Sequence, residues 1–243
     1  MQHEIVSREQ WIETRKQLLA EEKAFTRARD RLNEMRSALP WVRLDTSYTF
    51  DGPAGSVTLS ELFDGRSQLI IKHFMFGPDW AEGCVGCSFE CDQVEGALQH
   101  LLHHDVSYAA VSRAPIDRIE RYKQRMGWRF PWVSSFHNDF NYDFHVSFTP
   151  EEVKSGAAYY NYEHRPVGSD ELSGRSVFFK DSSGTIFHTY SSFARGGELF
   201  LGVYAYLDVT PKGRNETING NLTDWVRRHD KYDAVTQPAE EQR

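Results

Sequence analysis

An α/β domain of parallel strand–helix–strand units, preceded by one long helix, is predicted by three features of this sequence. Residues 68–76 are apolar at nearly every position, which is how a strand buried on both faces of a central sheet reads. Two more apolar runs, 106–111 and 130–135, follow it, and the intervals between them carry helical spacing. Residues 8–38 hold neither Gly nor Pro.

The long helix opens at Ser7, with Gln10 three residues on completing a capping box, and Pro40 closes it. Trp11, Leu18, Phe25 and Leu32 recur every seven residues, and Leu19, Ala28 and Met35 widen the stripe. Such a helix runs to roughly 45 Å. Two uses stand side by side: packing across its own domain, or pairing with a second copy as a homodimer arm.

From Trp41 the pattern changes. Val42, Leu44, Thr46, Tyr48 and Phe50 alternate with polar or smaller positions and predict one strand. Asp51-Gly52-Pro53-Ala54-Gly55 is turn chemistry, residues 56–59 begin a second short strand, and 60–63 make a helical turn. A loop, 77–83, follows the strand at 68–76. Residues 88–103 then show helical spacing through Phe89, Val94, Ala97, Leu98, Leu101 and Leu102. Pro115 opens the next helix at its first turn, where its missing N–H costs nothing, and Gly127 stops it. Residues 136–171 are rich in aromatics without a clear period and read as an insertion packed on the domain. A hairpin is predicted from 176–180 and 185–190 about Asp181-Ser182-Ser183-Gly184. Residues 203–208 suit helix or strand, and the polar tail, 234–243, is expected to be disordered. The organisation is a helical extension, 1–40, one domain, 41–233, and the tail.

Composition bounds the function. The 243 residues are 40% hydrophobic and 26% charged, ordinary for a folded globular chain. The net charge of −7 gives no general attraction for nucleic acid or anionic lipid. The N-terminus lacks the basic start and apolar run of a secretory signal, and no stretch approaches the roughly 20 apolar residues of a membrane span. A cytoplasmic location is expected, where thiols stay reduced. Three cysteines cannot all pair within one chain, so a structural disulfide framework is not expected.

Two of them form Cys84-Val85-Gly86-Cys87. The order strand, loop, C-x-x-C, helix puts Cys84 at a helix N-terminus, where unpaired N–H groups and the helix dipole favour thiolate over thiol. A cysteine there can fall from about 8.5 to roughly 3.5–7.5 in pKa. Cys84 is the candidate nucleophile, and Cys87, one turn on, the thiol that resolves a mixed disulfide. Cys91 continues the spacing i, i+3, i+7. It is a third thiol, a metal ligand or, most simply, a small buried core residue. Three thiolates with His73 or His188 would suit zinc or copper. Asp79 and Trp80 lie in the loop beside Cys84, the first placed to relay a proton and the second to meet a partner.

The segment Gly55-Ser56-Val57-Thr58-Leu59-Ser60-Glu61-Leu62, the buried strand and the C-x-x-C resemble the opening of peroxiredoxin-like and membrane-tethered thioredoxin-like reductases. Longer motifs run along almost the whole chain: Leu39-Pro40-Trp41-Val42, His73-Phe74-Met75-Phe76-Gly77-Pro78-Asp79-Trp80, Gly83-Cys84-Val85-Gly86-Cys87-Ser88-Phe89 and Val111-Ser112-Arg113-Ala114-Pro115. They continue through Met126-Gly127-Trp128-Arg129-Phe130-Pro131-Trp132-Val133-Ser134-Ser135, Asp139-Phe140-Asn141-Tyr142-Asp143-Phe144, Phe187-His188-Thr189-Tyr190-Ser191 and Leu207-Asp208-Val209-Thr210-Pro211-Lys212-Gly213-Arg214. By these the chain is identified as a member of domain-of-unknown-function family 899, described as predicted dithiol-disulfide oxidoreductases. The resemblance implies a thioredoxin-like fold, in its peroxiredoxin-like variant, with Cys84 and Cys87 at the redox position. One departure stands out. Thioredoxins carry a cis-proline before the strand equivalent to residues 176–179, whereas this chain reads Leu172-Ser173-Gly174-Arg175-Ser176. Arg175 is expected to take that place and support a thiolate by its charge.

The leading reading is a thiol-disulfide oxidoreductase needing no cofactor and acting on a thiol or disulfide of a protein or small molecule. The alternatives are a copper- or zinc-binding protein or metal-dependent oxidase using Cys84, Cys87, Cys91, His73 and His188, and a non-catalytic thioredoxin-fold interaction module.

Overall fold

The computed structural model describes residues 3–214, 216 and 225–232, and the tail at 234–243 lies outside them. Chain contacts divide it into two units, one ending at Trp41 and one beginning at Val42. The first is the helix α1 (Arg8–Ser37), capped by Ser7 and Gln10 through the reciprocal pair of bonds that the sequence predicts. No residue of α1 is buried, and Trp11, Leu18, Phe25 and Leu32 are each exposed.

The second unit carries β1 (Val42–Arg43), β2 (Thr49–Gly52), β3 (Gly55–Thr58) and β4 (Gln68–His73), then α2 (Val85–His103), β5 (Val106–Ser112), α3 (Ile116–Met126) and β6 (Trp132–Ser134). Short elements follow: α4 (Phe140–Asp143), α5 (Pro150–Ser155), β7 (Ala158–Tyr160) and β8 (Glu163–Arg165). The chain closes with β9 (Gly174–Lys180), β10 (Ile186–Phe193), a 3-10 segment Ala194–Phe200 and α6 (Gly202–Leu207). The main sheet runs β1-β10-β9-β4-β5-β6-β2-β3. β4, β5 and β6 are parallel, and the β9–β10 hairpin lies antiparallel against β4. A central strand leading to the C-x-x-C helix, with parallel strands on one side and an antiparallel hairpin on the other, is the thioredoxin-like fold. The β2–β3 hairpin beyond β6 gives its peroxiredoxin-like variant.

Three sequence expectations change. Residues 42–50 do not form one strand, because β1 pairs with β10 and β2 with β6, at opposite ends of the sheet order. The strand at 68–76 stops at His73, although Phe74 N–H still donates to Val111 O at 2.9 Å, and Phe74 and Phe76 stay buried. The insertion is not without structure. Its helices and hairpin are three to six residues long, too short for a period to show, and they surround a core of Val146, Phe148, Ala158, Tyr160 and Phe193. Residues 203–208 resolve as helix.

Alternation along β4 sorts the interior into two layers. Leu69 and Ile71 join Phe50, Phe63, Phe140 and Phe178 on one face. Ile70 and Phe74 join Cys87, Cys91, Tyr108, Tyr122 and Trp132 on the other, beneath α2 and α3. Lys72 points to this second face, and His73 to the first.

Candidate active site

Helix α2 begins at Cys84, which is its N-cap, and Cys87 lies in its first turn. The approach loop is pinned from several sides. Cys84 N–H donates to Met75 O at 3.0 Å, and Arg118 donates to the carbonyls of Pro78 and Trp80 at 2.7 and 3.1 Å. Arg228 donates to Gly83 O at 2.5 Å. Gly83 itself packs on Phe74: a Cβ there would stand 2.6 Å from the ring. Ser88 donates to Cys84 O at 2.8 Å and meets Tyr122 Oη at 2.9 Å.

The three thiols are free and unequal. Cys84, partly exposed, is pulled down to about 6: the Cys87 thiol hydrogen-bonds its sulfur, the N–H groups of Cys87 and Gly86 add to this, and the Lys72 ammonium assists against the opposing effect of burial. Cys87 is pushed well up, by burial first and then by that same bond to Cys84. Cys91, fully buried with its sulfur 3.9 Å from Tyr108 Oη, is pushed up to about 12 by burial. Cys84 is therefore the most acidic of the three thiols, and Cys91 packs in the core beneath α2.

Behind the pair lies a buried charge cluster. Lys72 Nζ stands 2.8 Å from Glu90 Oε2, with both side chains buried. Arg175 Nε donates to Glu90 Oε1 at 2.6 Å and its Nη2 to the other oxygen. Lys72 and Arg175 are register partners across β4 and β9, which puts both on the α2 face. Two cations thus share one carboxylate. A buried group with an excess positive charge is costly unless an anion balances it. Burial, and then the neighbouring Arg175 charge, hold Lys72 down to about 8. Burial likewise holds Arg175 down to about 10.

Sequence reasoning expected Arg175 to support the thiolate, and the structure places it in this cluster, with its guanidinium on Glu90. Lys72 and Glu90 were missed. The signals were present: a lysine inside a run otherwise buried on both faces, and a glutamate one turn beyond Cys87 on the helix face turned to the sheet. His73 and His188 are not brought to the cysteines. His73 stacks on Phe140 and Phe144, and His188 meets Phe144 edge-on, in the opposite layer of the sheet. The zinc or copper ligand set weighed from the sequence is thus not assembled. Among the described residues no group of three or more His, Cys, Asp or Glu is placed to hold a metal ion. Asp79 is exposed, while Trp80 packs on the cysteine-side core with its indole against Gly77.

The sequence matches, over residues 1–232, the family described as "Bacterial protein of unknown function (DUF899)". The chain belongs to the DUF899 family. Among curated proteins none matches. Solved structures similar to this chain include peroxidoxin BcpB from Mycobacterium tuberculosis, 12% identical with a TM-score of 0.43, covering 68% of this chain and 93% of that one. A peroxiredoxin Q variant from Xanthomonas campestris is 17% identical with a TM-score of 0.41, covering 65% and 90%. A yeast mitochondrial 1-Cys peroxiredoxin is 14% identical with a TM-score of 0.39, covering 67% and 74%. These are distant likenesses of shape, and the fold of this DUF899 chain is read from its own sheet order. Among its described residues no helix is long and apolar enough to cross a membrane.

Proposed function

We propose that this DUF899 protein is a thiol-disulfide oxidoreductase in which Cys84 attacks and Cys87 resolves. One observation carries the reading: a partly exposed, acidic Cys84 and a buried, protonated Cys87 share a helix N-terminus above two buried cations that have a single carboxylate between them.

The Cys84 thiolate attacks one sulfur of a substrate disulfide. A Cys84–substrate bond forms, the substrate S–S bond breaks, and the other half leaves as thiolate. Cys84 then no longer carries charge, so the influence that held the Cys87 proton most specifically is gone. Cys87 gives that proton to the departing thiolate and attacks the Cys84 sulfur. The second substrate half leaves, and the pair is left as a disulfide, two electrons poorer. Run backwards, the same steps oxidise a dithiol. In either direction Lys72 and Arg175 stabilise whichever of the two sulfurs is anionic.

A cytoplasmic setting and a substrate that is a thiol or disulfide, protein or small molecule, belong to this reading. So does pairing of two copies through α1, supported by the exposed heptad Trp11, Leu18, Phe25 and Leu32 on a helix with no buried residue.

The test is trapping. Cys87→Ser protein treated with 5,5′-dithiobis(2-nitrobenzoate) should accumulate a stable mixed disulfide at residue 84, whereas the native pair should release two equivalents of the coloured thiolate. Equal single release from both proteins would contradict the resolving role.

A further inference from the structure

The face of the sheet away from the cysteines carries its own cluster of histidines. His73 Nδ1 lies 3.2 Å from Asn141 Oδ1, and its Nε2 lies 2.9 Å from Ser176 Oγ. Ser176 Oγ lies 2.8 Å from Ser191 Oγ, which is 2.7 Å from His188 Nε2. His188 Nε2 is also 3.1 Å from Tyr190 O.

The direction of this chain is fixed by its ends. Tyr190 O only accepts, so His188 carries its proton on Nε2. Ser191 then receives from His188 and donates to Ser176, and Ser176 donates to His73 Nε2. His73 completes the run by donating from Nδ1 to Asn141 Oδ1. Both imidazoles are neutral, held down by burial, His73 to about 3. Every donor in the run is used. The Nδ1 lone pair of His188 has no partner among the described residues.

His188 and Ser191 line a cavity of about 220 Å³ whose other walls are mostly aromatic, among them Phe144, Tyr159, Tyr162 and Phe193. Its polar lining is His188, Ser191, His145, Asn161 and the carboxylate of Asp143, which takes the Tyr48 hydroxyl at 2.7 Å. Tyr162, itself largely exposed, lines the rim at a conformational cost. Asn161 and Tyr162 have φ of 54° and 67° in the β7–β8 turn, left-handed geometry that a bulky residue seldom adopts. Yet Tyr162 holds its hydroxyl on Ser191 O at 2.9 Å and its ring 5.6 Å from that of Phe193. Glycine would satisfy the turn more easily, so the bond to Ser191 O and the contact with Phe193 are what the tyrosine adds at this wall.

We infer that this cavity is a binding site for a small aromatic molecule bearing a hydrogen-bond donor, of the phenol class, with the ring between the aromatic walls and the hydroxyl given to His188 Nδ1. It stands apart from the thiol chemistry proposed above.

Calorimetric titration of the full chain with phenol and with anisole tests this. Saturable one-to-one binding of phenol is expected, with anisole, which has no donor, at least tenfold weaker. His188→Phe should weaken phenol at least tenfold, and Cys84→Ser should leave it unchanged. Tyr162→Gly should weaken it similarly while the melting temperature stays level or rises, because the strained turn is relieved. Absence of saturable phenol binding would overturn the inference, as would equal affinity for anisole or affinity unmoved by His188→Phe and Tyr162→Gly.

Discussion

Lys72 and Glu90 form a buried ion pair, Nζ to Oε2 at 2.8 Å, between the strand that leads to the cysteine loop and the helix that the loop opens. Since Arg175 rests on the same carboxylate, changes at Lys72 and Glu90 act on Cys84 with opposite sign. Lys72→Met removes a cation and should raise the Cys84 midpoint from about 6 by about one unit or more. Glu90→Gln should lower that midpoint and, by leaving two buried cations without their carboxylate, destabilise the fold by about 3–5 kcal/mol. Iodoacetamide alkylation rates against pH read the first effect, and urea denaturation reads the second.

Among the thiols, Cys87 contributes most to the acidity of Cys84. Cys87→Ala should therefore raise the alkylation midpoint more than Lys72→Met does. Cys91→Ala, in contrast, should leave it in place and cost about 1 kcal/mol of packing.

Stability should follow pH in two opposed ways. The folded pKa of Cys84, about 6, lies below its ordinary value of 9.0. Its contribution is complete above that ordinary value, declines as pH falls, and is gone below about 6. Glu171, raised from 4.5 to about 7 mainly by burial, behaves oppositely. Its contribution is complete below 4.5 and is lost as pH rises through 7. Denaturation across this range should show Cys84→Ser losing the rise on the alkaline side and Glu171→Gln losing the decline on the acid side.

Gly83→Ala sets a Cβ against the Phe74 ring at 2.6 Å. The loop must shift, at a cost of about 1–3 kcal/mol, and because Cys84 is the next residue its reaction with disulfides should slow. Denaturation and exchange kinetics on the same variant check both consequences.

Replacing Trp11, Leu18, Phe25 and Leu32 together by Gln should halve the mass measured by light scattering, with thiol reactivity retained. An unchanged mass would exclude α1 as the assembly surface.

Much of this architecture is legible in the chain. The alternation of 2 and 3.6 and the punctuation by Pro115 and Gly127 locate the central strands and helices, and the order of elements around Cys84 locates its helix terminus. What stays hidden is pairing between distant residues. Nothing in the alternation of residues 42–50 tells that its two ends join opposite edges of the sheet. Likewise Lys72 reads as a break in an apolar run until Glu90 and Arg175, 18 and 103 positions away, are seen around it. His73 sits one residue from Lys72, and a strand turns adjacent side chains to opposite faces, so closeness in sequence to the cysteine loop put it on the wrong side.

The most direct measurement is a count of free thiols in the full chain equilibrated across glutathione redox buffers and then quenched in denaturant. Three thiols per chain should fall to one in a single two-electron step, with Cys91 remaining and no glutathione bound, and the step should vanish in Cys84→Ser. Thiols lost one at a time as glutathione adducts, or a count that stays at three at every ratio, would contradict a working Cys84–Cys87 couple.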